Sequence, residues 1–494
     1  MQVLERRETF WFVAALIAVL CATTNLPWTL DDYDQAKQAF TSFEMVNEAH
    51  WLYQHTPNER IATKPPLVGW VSASVYGMTR NWDIAWRVPS LVPTGLLLVL
   101  LTRAATQAYG AVAGLLALSA GGLNMLTPRL ATLVRTDMPL ALVIFLIGLT
   151  VWRKLRNGEA WQTRDRLIVF ALLTAAMLIK GPIVYAFLLP GIAAFEWWRR
   201  KRAQPVSAWC GWWPWLASLA VFATWVAFGI ANVPGFYEQV VLREFAGRFD
   251  ETVHRSQPIY FYIPHLLYKF APWSLLLVGA AAVARRAKST ARPEVAWLLC
   301  WTIGALILMS LVPSKRVDRI YPIVPPLCLL VAAYAQVLTG RMRLWSTLAV
   351  ITACLFATGY SLQKVIRSYR AGEGNLVAFA ADVRAEAAKN GWRYEVIGGP
   401  EEGLLLYLRR TRFIKPVEAM QRWSAGELDA LVVPEDEAAQ FLALVPAATN
   451  TGLEASVTIN GERRRYLLLL REQGSASRQN LTRLQPGQTQ RSSA

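Results

Sequence analysis

The chain has 494 residues, of which 54% are hydrophobic and 17% charged, with a formal net charge of +17 at pH 7. Apolar residues gathered into long uncharged runs exclude an ordinary water-soluble enzyme of two to four domains. They also turn the positive excess toward lipid headgroups and a phosphate-bearing substrate rather than nucleic acid.

Arg6 and Arg7 precede the first run, 9–30, which is long and lacks a small-x-small cleavage site; it reads as an uncleaved first span. Runs at 104–128, 203–237, 295–314, 320–340 and 344–363 match a bilayer core that takes roughly 20 helical residues to cross. Shorter runs at 88–102, 138–152, 167–179, 181–195 and 270–284 read as further spans that borrow a flanking polar residue or end on a snorkelling arginine. The basic clusters Arg6/Arg7, Arg153/Lys154/Arg156, Arg199/Arg200/Lys201/Arg202, Arg285/Arg286/Lys288 and Arg341/Arg343 can all face the cytoplasm together, which gives about eleven spans with the N-terminus inside. Loops 31–87, 129–137, 232–269 and 313–319, and everything after 363, then lie outside. Residues 65–79 form one more uncharged run; as a span it would invert the basic clusters that follow, so it is read as a re-entrant or interfacial helix. The five cysteines, Cys21, Cys210, Cys300, Cys328 and Cys354, lie in apolar runs without a CxxC pair, which argues against a cysteine zinc cage or a disulfide framework.

Beyond 363 the composition changes. Residues 375–389 have helical spacing, and Tyr394–Gly398, Ala430–Pro434, Ala455–Ile459 and Arg465–Leu470 read as strands, with a hairpin signal at Asn460–Gly461. The predicted organisation is a polytopic α-helical membrane body, 1–363, with a large first outer loop, 31–87. A small α/β extracytoplasmic domain, 364–471, and a disordered tail, 472–494, rich in Gln, Ser, Arg and Gly, follow.

The outer loops carry the chemistry, and all four histidines, His50, His55, His254 and His265, fall there. Asp31-Asp32-Tyr33-Asp34 follows the first span. Acids at a membrane edge are costly and mark functional candidates, although a helix cap accounts equally well for Asp31 or Asp32. Lys64-Pro65-Pro66 holds a cation on extended backbone before a helix start; a lysine snorkelling at the interface is the alternative. Arg135-Thr136-Asp137, Lys180-Gly181-Pro182, Arg243 to Gln257-Pro258 with Arg248 and His254, and Lys315-Arg316 with Arg319-Ile320-Tyr321-Pro322 complete the set. Each is weak alone; together, on one face, they point to a site for an anionic substrate.

The string Tyr33-Asp34-Gln35-Ala36, Glu44-Met45, Trp51, Lys64-Pro65-Pro66-Leu67, Trp70 and Arg87-Val88-Pro89-Ser90 resembles the signature of family 39-type GT-C glycosyltransferases, which include protein O-mannosyltransferases and lipid A aminoarabinose transferases. Arg135–Asp137, Lys180–Pro182, Arg248, His254, Gln257-Pro258, Pro272-Trp273, Lys315 and Tyr321-Pro322 continue the resemblance in order over about residues 10–340. It implies a GT-C membrane body and inverting sugar transfer from a polyprenyl phosphate to an acceptor hydroxyl or phosphate on lipid A, a glycan or a protein. It also implies a bacterial inner-membrane location with the site facing the periplasm. Counting back from Met45 to the family's catalytic acid lands on Asp34, with Gln35 replacing the usual second acid; the family's other acid matches Asp137. Asp34 is then the base, and Lys64 the first phosphate contact, with Arg248, Lys315 and Arg316 helping. Asp137 either orients the acceptor or holds a basic residue. Arg135, Lys180, His254 and Tyr321 complete the expected substrate contacts. Aminoarabinose transferases place a metal-binding Glu before Lys-Pro-Pro, to pair with a histidine matching His254; Thr63 stands at that position here. No cofactor is therefore assigned; a divalent metal at His254, with His55 supplying the missing ligand, is the open possibility. A transporter or flippase of a lipid-linked saccharide is the competing class, but it would more often show two related halves, and none is visible. A ligase of undecaprenyl-linked glycans, with a different fold, is a further alternative.

Overall fold

In lipid a backbone has no water to bond, so long apolar stretches close their own hydrogen bonds as helices. The computed structural model describes residues 3–57, 60–243, 257–286, 292–335, 341–398, 402–444, 448–459 and 462–471, and its contacts divide the chain into Met1–Arg370 and Ala371–Ala494. The first unit is helical: α1 (Arg7–Thr23), α2 (Tyr33–Glu48), α3 (Leu67–Thr79), α4 (Trp82–Tyr109), α5 (Ala111–Gly122), α6 (Thr127–Leu130), α7 (Asp137–Asn157), α8 (Thr163–Lys180), α9 (Ile183–Lys201) and α10 (Trp213–Asn232). Helices Tyr262–Lys269, Trp273–Arg286, Pro293–Leu311, Val324–Ala335 and Arg341–Arg370 follow. Every predicted span falls on a helix. The break between the second and third, however, is at Gly110, where φ is 92°, and not at Arg103, which lies inside α4.

Among the described residues six stretches are long and apolar enough to cross a membrane: Trp82–Tyr109, Asp137–Asn157, Trp213–Asn232, Pro293–Leu311, Val317–Tyr334 and Arg343–Arg370. Val317–Tyr334 is 78% buried within the protein and Trp213–Asn232 only 28%, so the first is the bundle's centre and the second turns its apolar face outward. Trp11, Phe12, Leu216, Phe228, Ile303, Ile307, Leu355 and Phe356 are exposed. In water such a surface invites aggregation, whereas lipid tails cover it without cost. The chain is thus a multi-pass membrane protein. α3 has 13 residues, roughly 20 Å at the helical rise, short of the roughly 30 Å hydrocarbon core. It packs on α2 in the first loop, in keeping with an interfacial helix.

Small residues let the central helices approach closely. A Cβ on Gly191 of α9 would lie 2.6 Å from Trp301 Cα, and one on Gly304 would lie 2.6 Å from the Gly191 nitrogen. Trp297 stacks on Trp301 and donates from Nε1 to the Gly148 carbonyl at 3.0 Å.

The second unit holds helix Asn375–Asn390 and strands β1 (Tyr394–Val396), β2 (Ala430–Pro434), β3 (Ala448–Ile459) and β4 (Glu462–Arg471), in sheet order β1-β2-β4-β3. β1 and β2 are parallel and the other pairs antiparallel. Helices Glu402–Tyr407, Pro416–Ser424 and Glu435–Leu444, not predicted, connect them. Asn460–Gly461 and the tail 472–494 lie outside the described residues.

Gly191→Ala is expected to lower the thermal midpoint in detergent, since overpacking a well-filled contact costs about 1–3 kcal/mol. Gly95, inside α4 with open space around it, provides the contrast: Gly95→Ala should leave the midpoint unchanged or raise it.

Candidate active site

α2 starts because Asp32 caps it: its carboxylate accepts from the Asp34 N–H at 2.9 Å and the Gln35 N–H at 3.4 Å. Of the acids left open as caps, Asp32 therefore takes that role. Asp34 falls in the first turn, where an acid complements the helix dipole. Its carboxylate pairs with Arg316 and lies 3.7 Å from Arg135. Gln35 turns the other way, and its Oε1 accepts from the Val134 N–H at 3.1 Å. The residue that departs from the family pair is thus a buried strut between α2 and the 129–137 loop.

Arg135 is the hub. One end of its guanidinium donates to Asp318 at 3.0 Å and the other to Asp32 at 3.1 Å, and only 9% of the residue is exposed. Asp318, itself buried, also receives Arg129 at 3.3 Å. Nearby, Asp137, first residue of α7, and Lys180, last residue of α8, pair at 2.5 Å, both buried or nearly so.

Asp34, Arg135, Asp137, Lys180, Arg316 and Asp318 border one cavity of about 240 Å³. Lys37, Lys64, Arg135, Lys180, Arg243, Arg316 and Arg319 line it against the carboxylates Asp34, Asp137 and Asp318. Seven cations facing three acids leave a surplus of positive charge, an environment that selects an anion. Burial pushes the Asp34 carboxyl up, but the Arg316 hydrogen bond, with the charges of Arg316, Arg135 and Lys37, outweighs burial and holds it below the ordinary carboxylate range. Burial likewise works against the Arg316 charge, and its contact with Asp34 reverses the sign. A second cavity, of about 250 Å³, is lined largely by apolar groups, including Pro65, Pro182, Ile183, Phe222, Trp225 and Val240. It shares Thr63, Lys64 and Lys180 with the first.

Of the residues singled out in the sequence, Asp34, Lys64, Arg135, Asp137, Lys180 and Arg316 thus border one space. Lys315 does not line it: its ammonium donates to the Gln257 carbonyl at 2.9 Å. Tyr321 is fully buried in the helical core with its hydroxyl 2.8 Å from Thr127 Oγ1. Arg248 and His254, and with His254 the metal position considered there, lie outside the described residues. Arg243 and Arg319, both in the outer-loop set, line it as well, and so does Lys37, whereas the sequence reading missed Asp318. For Lys37 the signal was available, because it follows Asp34 by three residues and shares its helix face.

The fold, a helical membrane body followed in the chain by a small sheet unit, is shared with solved structures. No protein-family model matches the sequence. The crystal structure of ArnT from Cupriavidus metallidurans bound to undecaprenyl phosphate matches with a TM-score of 0.65 at 18% identity, over 92% of this chain and 97% of that one. The archaeal oligosaccharyltransferase AglB from Archaeoglobus fulgidus, in complex with an inhibitory peptide and a dolichol-phosphate, matches at 0.50 and 11% identity, over 88% of this chain and 70% of that one. In sequence, the chain is 26% identical over 362 residues to undecaprenyl phosphate-alpha-4-amino-4-deoxy-L-arabinose arabinosyl transferase 1 of Sodalis glossinidius, and 27% identical over 316 residues to transferase 2 of Proteus mirabilis. The matches take in 69% and 61% of this chain, and span 61% and 54% of those proteins.

Asp318→Asn removes the carboxylate that two arginines share. Breaking such a buried pairing costs about 3–5 kcal/mol, so this variant should show a sharply lowered thermal midpoint or fail to accumulate. Asp34→Asn, at a half-exposed carboxylate, should purify and melt close to the parent.

Proposed function

We propose that this chain is an inverting glycosyltransferase of the bacterial inner membrane. It moves a sugar from a polyprenyl-phosphate donor to an acceptor hydroxyl or phosphate, on lipid A, a glycan or a protein, with its site facing the periplasm. The observation that carries this reading is the junction of the two cavities. A cation-rich pocket holding a carboxylate adjoins, at Lys64 and Lys180, an apolar one. A lipid-linked phosphosugar has the same division, with a phosphate between a sugar and a hydrocarbon chain.

The chemistry follows from the charges. The acceptor oxygen attacks the anomeric carbon from the face opposite the phosphate. The bond from that carbon to the phosphate oxygen breaks, and its electron pair leaves with polyprenyl phosphate. Lys64 and Arg316, cations on the cavity wall, stabilise that departing charge. A hydroxyl acceptor gives its proton to Asp34, whereas a phosphate acceptor needs no base. Without substrate Asp34 is held by Arg316 and is a poor base for it. A donor phosphate that competes for Arg316 loosens that pair and raises the basicity of Asp34 as the reactants meet. The pair with Asp137 fixes Lys180 at the cavity junction and supports the holding role for this acid. The likeness to relatives that use undecaprenyl phosphate fits the same donor.

Incubating the purified protein with a labelled polyprenyl-phosphate sugar and candidate acceptors tests the reading. Release of free polyprenyl phosphate is expected, and movement of intact lipid across liposomes without release would instead indicate a transporter. With a hydroxyl acceptor, Asp34→Asn should lower turnover by about 10²–10⁴-fold, the range for loss of a general base. Lys64→Ala should weaken donor use, and an unchanged donor KM and kcat would remove Lys64 from the scheme.

The pH profile follows from the Asp34–Arg316 pair. Asp34 must be ionised, and its depressed pKa keeps it so as pH falls to the ordinary carboxylate range. Arg316→Gln withdraws the charge that depresses it, so the acid limb of kcat/KM should move to higher pH. An acid limb at the same pH in both proteins would dissociate Asp34 from the rate.

A further inference from the structure

One cluster outside this cavity has the chemistry of a metal cage. Glu44 lies near the end of α2 and is 1% exposed. After Glu48 the chain turns back at Ala49, where φ is 61°, and this turn brings His50 and His55 onto the Glu44 carboxylate. His50 Nδ1 lies 2.8 Å from Glu44 Oε1, and His55 Nδ1 lies 2.6 Å from the same oxygen. The His55 backbone N–H donates to the other oxygen, Oε2, so the carboxylate is pinned while Oε1 faces two imidazole nitrogens. The three donor atoms lie within 4.8 Å of one another.

A buried carboxylate needs its charge compensated. Among the described residues neither lysine nor arginine pairs with Glu44; its partners in ion pairing are the two rings. Two imidazoles and one carboxylate, with a fourth position open, are a zinc donor set, and imidazole favours zinc over magnesium or calcium. Side-chain exposures of 44% for His50 and 36% for His55 leave a route for the ion and for water. A slight spreading of the three donors accommodates metal–ligand bonds of about 2.0–2.2 Å.

We propose that Glu44, His50 and His55 hold one zinc ion, completed by water, which staples the end of α2 to the segment that runs on to Lys64. From His55 that segment forms a bridge with Ile61 and then reaches Thr63 and Lys64 at the cavity. The ion is thus a positioning element of the first loop. The cage uses neither Thr63 nor His254, the positions to which the family resemblance points, and it stands whether or not the transferase reading does.

The test uses the full-length protein in detergent, stripped with EDTA and titrated with zinc chloride, with metal content and thermal midpoint as readouts. One zinc per chain and a midpoint that falls with EDTA and recovers with zinc are expected. His50→Gln should weaken zinc binding by more than the roughly 10–100-fold that loss of an outer-shell partner costs and leave the midpoint indifferent to zinc. His50→Cys, which replaces one zinc ligand with another, should retain both responses, and His254→Ala should bind zinc as the parent does. Parent protein that takes up no stoichiometric zinc overturns the proposal. So does His50→Gln with parental affinity, or loss of zinc in His254→Ala.

Discussion

A carboxylate and a guanidinium drawn out of water at the edge of a membrane must find one another, and in this chain they do so across long stretches of sequence. Arg135 joins Asp32 at the start of α2 to Asp318 between two late helices, and Arg129 adds a second contact to Asp318. Such buried pairs contribute little net stability, because desolvation offsets most of the attraction. Their effect here is one of register. The arrangement of residues 32–34, 129–137 and 316–319 that pairs these charges also sets Asp34 against Arg316.

Helix ends do the rest of the placing. Asp34 and Asp137 stand in the first turns of their helices and Lys180 in the last turn of its own, each at the end of the dipole that favours its charge. The field of the backbone therefore favours the charges placed at these helix ends. Lys64 is the exception, since it precedes the N-terminus of α3. There an ammonium and the positive end of a helix act in the same direction, and both favour an anion.

The helical body was legible because uncharged runs and basic clusters report directly on lipid. The exact break near residue 110 was not, because a charge at Arg103 looks like an end, whereas a long arginine can ride inside a helix and only Gly110 supplies the backbone turn. In the second unit the strands showed as short, mostly apolar runs. Three short helices there did not, since elements of this length carry too few periods to distinguish themselves from loop. At the site, acids and lysines beside proline or glycine stood out. Lys315 and Arg316 are neighbours, and sequence cannot say which one turns toward Asp34 and which toward the Gln257 carbonyl. Tyr321 follows a family motif, yet its bond to Thr127 belongs to the core. Asp318 was hidden between Arg316 and Arg319, where an acid reads as local charge balance rather than as the partner of Arg129 and Arg135.

The two cavities meet at Thr63, Lys64 and Lys180, and this junction constrains what the site can accept. A soluble sugar phosphate would satisfy the cations and leave the apolar space unfilled. A neutral lipid would fill the apolar space and leave the cation surplus unmatched. A molecule with an anion at one end of a hydrocarbon chain answers both, and under the transferase reading the carboxylate of Asp34 on the polar side serves its reaction. The same division accounts for the basic residues carried by the loops that the sequence reading places outside, which run against the usual bias of membrane proteins toward positive cytoplasmic loops. Under the transferase reading that violation has a cause: the phosphate enters with the substrate, and its charge completes a balance that the protein alone leaves open.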